Sequence, residues 1–151
     1  MSTIEEEKAR LRHEWGKRGT KCRACTQTVA LRRRAFNAGM ARALIVMYRE
    51  HGRAFQKKTE TLRGVGSAAR DEGQLRYWGL LEEEKSVRPD GGRKGVWRVT
   101  EKGEAFIQCR VRVHSHAYTF NSQCFGLDGD MITIREALGK KFNLEELLRG
   151  I

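Results

Sequence analysis

Phe36, Met40, Leu44 and Met47 recur at intervals of four, four and three residues, the period of one face of an α-helix. Ala43 and Tyr48 stand beside that stripe, and Ala41 and Ile45 widen it, so the helix is buried on more than one side. The pattern predicts a long helix from Thr26 to Glu50, with Gly52 after His51 as its stop. Upstream, Thr3 followed by Glu6 is a capping box for a helix running to about Trp15 and ending at Gly16. Ile4, Leu11 and Trp15 share one face of it, interrupted by Lys8. A helix this short cannot stand alone in water. It must dock on the body or on a second copy of the chain.

Past the long helix, residues 52–66 are polar and basic, with Phe55, Leu62 and Val65 as apolar anchors. They hold a short helix or an extended replacement. Ser67 caps the next helix, which reaches about Trp78, with Asp71 and Glu72 early, where the helix dipole favours acids. Ala68, Leu75 and Trp78 face inward, and Arg70, Gln74 and Arg76 face outward. Two strands follow, about 80–87 and 96–99, around the tip 88–95. Asp-Gly and Gly-Gly between apolar-containing runs mark a hairpin. A helix opens at Thr100, with Ala105, Phe106 and Ile107 in the core.

The last third mixes strand and helix. From Cys109 to His114 the chain alternates, with Cys109, Val111 and Val113 opposite Arg110, Arg112 and His114, and it continues as a strand through Tyr118 and Phe120. Residues 125–130, Phe-Gly-Leu-Asp-Gly-Asp, read as a turn. Asp128 and Asp130 lack the ligand spacing and terminal Glu of a calcium loop. Residues 131–134 form a strand pairing with the Cys109 strand. Thr133 or Arg135 starts a short helix, and Asn143 with Glu146 caps the last one, whose apolar side is Leu144, Leu147 and Leu148.

Leu75, Gly79-Leu80-Leu81-Glu82, Asp90 and Arg93 in the tip, and Trp97-Arg98-Val99-Thr100-Glu101-Lys102-Gly103 together carry a resemblance. The stretch 75–107 resembles the second half of winged-helix regulators of the MarR, PadR and ArsR type. Residues 22–52 leading into 75–82 also resemble small phage and prophage proteins of unassigned role, which join a Cys-x-x-Cys turn to a winged helix. The resemblance implies an α+β fold with a winged helix-turn-helix core at 32–108. An N-terminal helix and Cys-x-x-Cys knuckle (1–31) would precede it. A small strand-and-helix appendage (109–151), packed on the domain or dimerising, would follow. It implies duplex DNA as partner and transcriptional regulation as role. Arg70, Gln74 and Arg76 would probe the major groove, since Arg and Gln make bidentate contacts to guanine and adenine edges. Arg88, Arg93 and Lys94 on the wing would touch phosphate or minor groove. Arg32, Arg33 and Arg34, on three successive helix positions, are a solvated turn or further phosphate contacts.

Composition sharpens this picture. With 151 residues, 39% of them hydrophobic, the chain suffices for one domain with a modest core plus appendages. A net charge of +11 points to a polyanionic partner, the alternative being a solvated basic surface with no partner. No run is apolar enough to span a membrane, and the acidic start, Glu5-Glu6-Glu7, is unlike a signal peptide. The expectation is a cytoplasmic protein with its four cysteines as thiols or metal ligands. Cys22 and Cys25 have the spacing of half a zinc knuckle. Cys109 or Cys124 would complete a thiolate-rich site, and His114 or His116 a mixed one. Two unligated thiols in a turn are the alternative. A redox role lacks its βαβ context. No catalytic constellation is legible, so an enzyme is not expected. Against groove entry stand Asp71, Glu72 and the acidic strand Glu82-Glu83-Glu84. They favour a protein-interaction module, or a zinc-stabilised adaptor, docking on a host nucleic-acid-processing machine.

Overall fold

A computed structural model describes residues 4–14, 20–21, 23, 28–65, 67–84, 95–120 and 123–150, with the backbone alone at 8, 11–14, 20, 28–29 and 67–72. The fold is mixed α+β. In chain order its elements are α1 (Ile4–Glu14), β1 (Thr20–Lys21), β2 (Thr28–Val29), β3 (Arg32–Ala35), α2 (Ala38–His51), β4 (Gln56–Lys57) and α3 (Lys58–Thr61). A 3-10 helix (Ser67–Trp78) follows, then β5 (Leu81–Glu83), β6 (Val96–Val99), α4 (Glu101–Ile107), β7 (Val113–Phe120), β8 (Gln123–Ile132), α5 (Ile134–Leu138) and α6 (Leu144–Arg149). Among the described residues three antiparallel sheets form, with orders β1-β2, β3-β7-β8 and β4-β6-β5. No helix of the described residues is long and apolar enough to cross a membrane.

Helix α2 is the centre of the core. Met40, Ala41, Ala43, Leu44, Ile45 and Met47 are each at most 1% exposed, so apolar neighbours surround it. Ile134 and Leu138 of α5 and Leu144 and Leu147 of α6 are buried in the same cluster as Leu75, Trp78, Val99 and Phe106. Phe36 packs edge-on against both Trp78 and Phe106, with centroids 5.2 and 5.5 Å away. The Trp78 indole N–H donates to the carbonyl of His114 at 2.7 Å, which joins the 3-10 helix to β7.

Helix α2 starts later than its apolar period predicts. Asn37 accepts the Met40 amide at 2.8 Å and caps the helix. The expected turns upstream are replaced by β3, whose backbone pairs with β7 from Arg32↔Thr119 to Ala35↔His116. Arg32, Arg33 and Arg34 therefore occupy successive strand positions, not helix positions. Residues 52–66 hold both alternatives at once, β4 and the single turn α3.

Two further expectations are corrected in the last third. The strand begins at Val113, not Cys109, because the end of α4 claims the preceding residues. Cys109 takes a left-handed conformation (φ 61°), its amide donating to Phe106 and that of Arg110 to Ala105. This is a Schellman close with cysteine where glycine is usual, and it leaves Cys109 exposed. The predicted turn at 125–130 lies inside β8. The β7–β8 register slips between His114 and His116 and again between Tyr118 and Thr119. Each slip inserts one extra residue on β8, a β-bulge. Gly129, at φ 84° and crowded by Ser115 and His116, makes one of them possible. Thr133 does open α5, with a complete capping box to Glu136.

The Gly79-Leu80 turn and the start of α4 are stitched together. The Thr100 amide donates to Leu80 O at 3.1 Å, and its hydroxyl donates to Gly79 O and accepts from the Gly103 amide. A Cβ at Gly103 would stand 2.5 Å from Leu80 O and 2.8 Å from Val99 Cγ1. Glycine is required there by a backbone neighbour that cannot step aside. Gly103→Ala should destabilise the protein by about 1–3 kcal/mol, the usual cost of overpacking, read as a lower urea midpoint. An unchanged midpoint would show that α4 slides off the turn freely.

Candidate nucleic-acid interface

Residues 67–78 are wound with three residues per turn, an unusual length for a 3-10 helix. Side chains three apart eclipse, and among the described side chains of this helix the fully buried Leu75 and Trp78 are three apart. Gln74 and Arg76 are half-buried. Arg76 does not extend outward. Its guanidinium lies 4.9 Å from the Tyr77 ring centroid and 6.0 Å from that of Trp97. It donates to Tyr77 Oη at 3.3 Å and to Gly73 O at 3.4 Å. Lys58, from the start of α3, places its Nζ 4.7 Å from the Trp97 centroid. Trp97 is buried on β6. One fixed aromatic ring thus gathers a cation from α3 and another from the 3-10 helix, each held by the ring's negative face. The sequence pattern does not mark Lys58, Tyr77 and Trp97 as site residues. The signal available was a lysine pair, 57–58, opening a short basic segment.

The Arg70 side chain and residues Arg88, Arg93 and Lys94 lie outside what is described. So does the hairpin tip they belong to. The strands that carry it are in place, and Lys58 N donates to Gly95 O at 3.2 Å, tying α3 to the returning strand. Cross-strand, Arg98 binds Glu82 at 2.9 Å, and its guanidinium stacks on Phe55 at 4.5 Å. Glu82 is therefore matched by a cation on its own sheet.

Strand β3 divides the arginine triplet. Arg33 binds Asp128 at 3.0 Å, and Tyr118 Oη donates to the same oxygen at 3.1 Å. The Arg33 guanidinium, the backbone at Gly129 and Tyr118 hold the Asp128 carboxyl below the usual range. Arg32 and Arg34 stand on the other face, opposite Thr119 and Ala117, and are exposed.

Cys22 and Cys25 lie outside the described residues. Of the other candidate ligands, Cys109 is exposed at the end of α4, and Cys124 donates to Gly126 O at 3.5 Å. His114 Nδ1 is 3.1 Å from Gly129 O, and His116 Nδ1 is 2.7 Å from Ser115 Oγ. Among the described residues no three of His, Cys, Asp and Glu are grouped to hold a metal ion. Arg23, between the two cysteines, is nevertheless anchored. Its amide donates to Glu7 Oε1 at 2.8 Å, and Arg10 donates to the same oxygen at 2.6 Å and to Lys21 O at 2.8 Å. Helix α1 is thus seated by a charged residue. Glu7 is 8% exposed while Ile4, expected on the docking face, is 75% exposed.

Comparison with protein-family models, curated proteins and solved structures finds no match to this chain.

The hydrogen bonds from Arg10 and from the Arg23 amide hold the Glu7 carboxyl down to about 2. A lowered carboxyl contributes its stability fully above the ordinary glutamate pKa of about 4.3 and loses it as pH falls toward the folded value. Protection of the Arg23 amide from hydrogen exchange should be full at neutral pH and fade between about pH 4 and 2. In Glu7→Gln it should be weak throughout and flat with pH. Equal protection in both proteins would detach α1 from the turn.

Proposed function

We propose that the chain is a winged helix-turn-helix protein that binds duplex DNA, as a transcriptional regulator. One observation carries the reading. The order α2, β4, α3, 3-10 helix, β5, β6, with β6 between β4 and β5, matches the order expected of a winged helix-turn-helix and supports the reading. The charge of +11 supplies the non-specific part of phosphate binding. In this reading helix 67–78 meets the groove with Arg70 and Gln74, and with Arg76 only once it leaves Gly73 O and Tyr77 Oη, while Arg88, Arg93 and Lys94 on the hairpin contact the backbone beside it. Arg32 and Arg34 add backbone contacts from β3. Arg33 is occupied by Asp128 and contributes least. The pairing of Glu82 with Arg98 removes part of the electrostatic objection to a polyanion on this side.

A second reading, a module docking on a nucleic-acid-processing machine, is supported by Phe125, Leu127 and Met131. These stand 37–46% exposed on β8. A zinc-stabilised adaptor built on Cys22 and Cys25 is a variant of it.

Fluorescence anisotropy on a labelled random duplex and a genomic-fragment pool, across a salt series, separates these readings. Wild type should bind with a steep salt dependence and select fragments from the pool. Arg93→Glu with Lys94→Glu should weaken binding and flatten the log–log slope by about 2, near one for each phosphate the protein no longer neutralises. Absence of binding at low salt would end the DNA reading. A steep slope without selectivity would transfer the search to protein partners.

A further inference from the structure

Gln56 is the buried residue of β4, 5% exposed, and its amide is only half used. Its Nε2 donates to Met47 O, in the last turns of α2, at 3.2 Å. A carbonyl only accepts, so the amide nitrogen must face Met47, and Oε1 is left to find a donor elsewhere. That oxygen is buried and has no partner among the described residues, where buried acceptors are as a rule paired. Gln56 lines a cavity of about 330 Å³ together with Glu50, His51, Lys57, Glu60 and Thr61. Glu50 and His51 close α2, whose C-terminal carbonyls put partial negative charge at this end. Glu50 is matched by Arg49 at 2.9 Å. Glu60 is held loosely, 3.9 Å from Lys57, with side chains 64% and 62% exposed.

We propose that this cavity binds a primary alkylammonium group, which donates to Gln56 Oε1 and to the carboxylates of Glu50 and Glu60. The proposal is independent of duplex binding. An ammonium carries three N–H donors and no acceptor. The cavity offers it an orphan amide oxygen, two carboxylates and the negative end of a helix of 14 residues. An anion would meet the same groups as repulsion. A metal ion is not matched either, because no three of His, Cys, Asp and Glu are grouped among the described residues. At Glu60 the ligand displaces the distant ammonium of Lys57. The alkylammonium has two sources, a free small amine or the lysine side chain of a protein partner.

The test is a titration of the full, isotopically labelled chain with butylammonium chloride, following the NMR signals of the Gln56 side-chain amide. Tetramethylammonium chloride, which has the same charge and no N–H donor, is the control. Butylammonium should shift the Gln56 signals saturably, and tetramethylammonium should shift them no more than potassium chloride does. Glu60→Gln, at an exposed position, should raise the Kd about tenfold, the effect of one charge-assisted hydrogen bond. Lys57→Ala, which removes the competing ammonium, should lower it. Lysine capped at both backbone ends separates the sources. Saturation at the butylammonium Kd assigns the site to a lysine side chain, and binding of butylammonium alone assigns it to a free amine. Equal responses to the two cations, or a butylammonium Kd unchanged in both Glu60→Gln and Lys57→Ala, would overturn the site.

Discussion

Helix α2 cannot be satisfied by one neighbour. An ordinary surface helix buries a stripe and leaves its other side to water. Here six positions in eight are sealed off, and apolar groups facing in several directions must all be covered. That demand recruits distant parts of the chain. The 3-10 helix and α4 cover part of α2, while α5 and α6 bring Ile134, Leu138, Leu144 and Leu147 to the same cluster. The last quarter of the sequence is therefore part of the core that positions the candidate interface. Phe36 and Trp78 mark where these layers meet, and the Trp78 indole bond to the His114 carbonyl fixes the sheet β3-β7-β8 against the 3-10 helix.

Excess positive charge has to be housed as well. Several cations lie over rings: Lys58 on Trp97, Arg98 on Phe55, Arg42 on Phe142 and Arg76 on Tyr77. Others pair with acids across strands or helices, as do Arg33 with Asp128, Arg98 with Glu82 and Arg135 with Glu145. Such exposed pairs are each worth little in stability. Their effect is geometric, because each removes one arginine from the set able to reach a partner. The triplet Arg32–Arg34 shows the sorting, with the middle residue tied down and its neighbours facing outward.

The parts legible in sequence were those governed by local rules. The α2 stripe, the 96–99 strand, the Thr100 and Thr133 caps and the hairpin strands all follow from periodicity and turn chemistry. The errors fell where tertiary contacts outweighed local signals. Arg32–Ala35 looked helical by continuity with α2, yet Asn37 stopped the helix and β7 offered the backbone a ladder. Phe-Gly-Leu-Asp-Gly-Asp carries two glycines and two aspartates, the residues of a turn. In a strand opposite a longer register they serve bulges instead. On α1 Ile4 stays exposed and a carboxylate with two donors seats the helix, while the Leu11 side chain and Trp15, the rest of the expected apolar face, lie outside the described residues. The cluster of Lys58, Arg76 and Trp97 was not legible, because its members come from three elements and no spacing links them. The glycine signature at Gly79 and Gly103 was legible as a pattern. Its cause, the approach of α4 to the Leu80 carbonyl, needed the structure.

The outer strands of the β3-β7-β8 sheet bear on how a second copy could meet the first. An open strand edge invites another strand, because its outward N–H and C=O groups lack partners. Strand β3 carries three consecutive arginines, and two such edges brought together would oppose like charges. Strand β8 is longer, but its two bulges break the even spacing of outward amides and carbonyls that edge pairing requires. Both edges are thus blunted by different means, one electrostatic and one geometric. The exposed side chains of Phe125, Leu127 and Met131 offer contact area without a matching backbone ladder. Among the described residues, a contact made at this sheet would therefore fall to side chains, with shape and charge at those positions rather than a continued ladder setting its specificity.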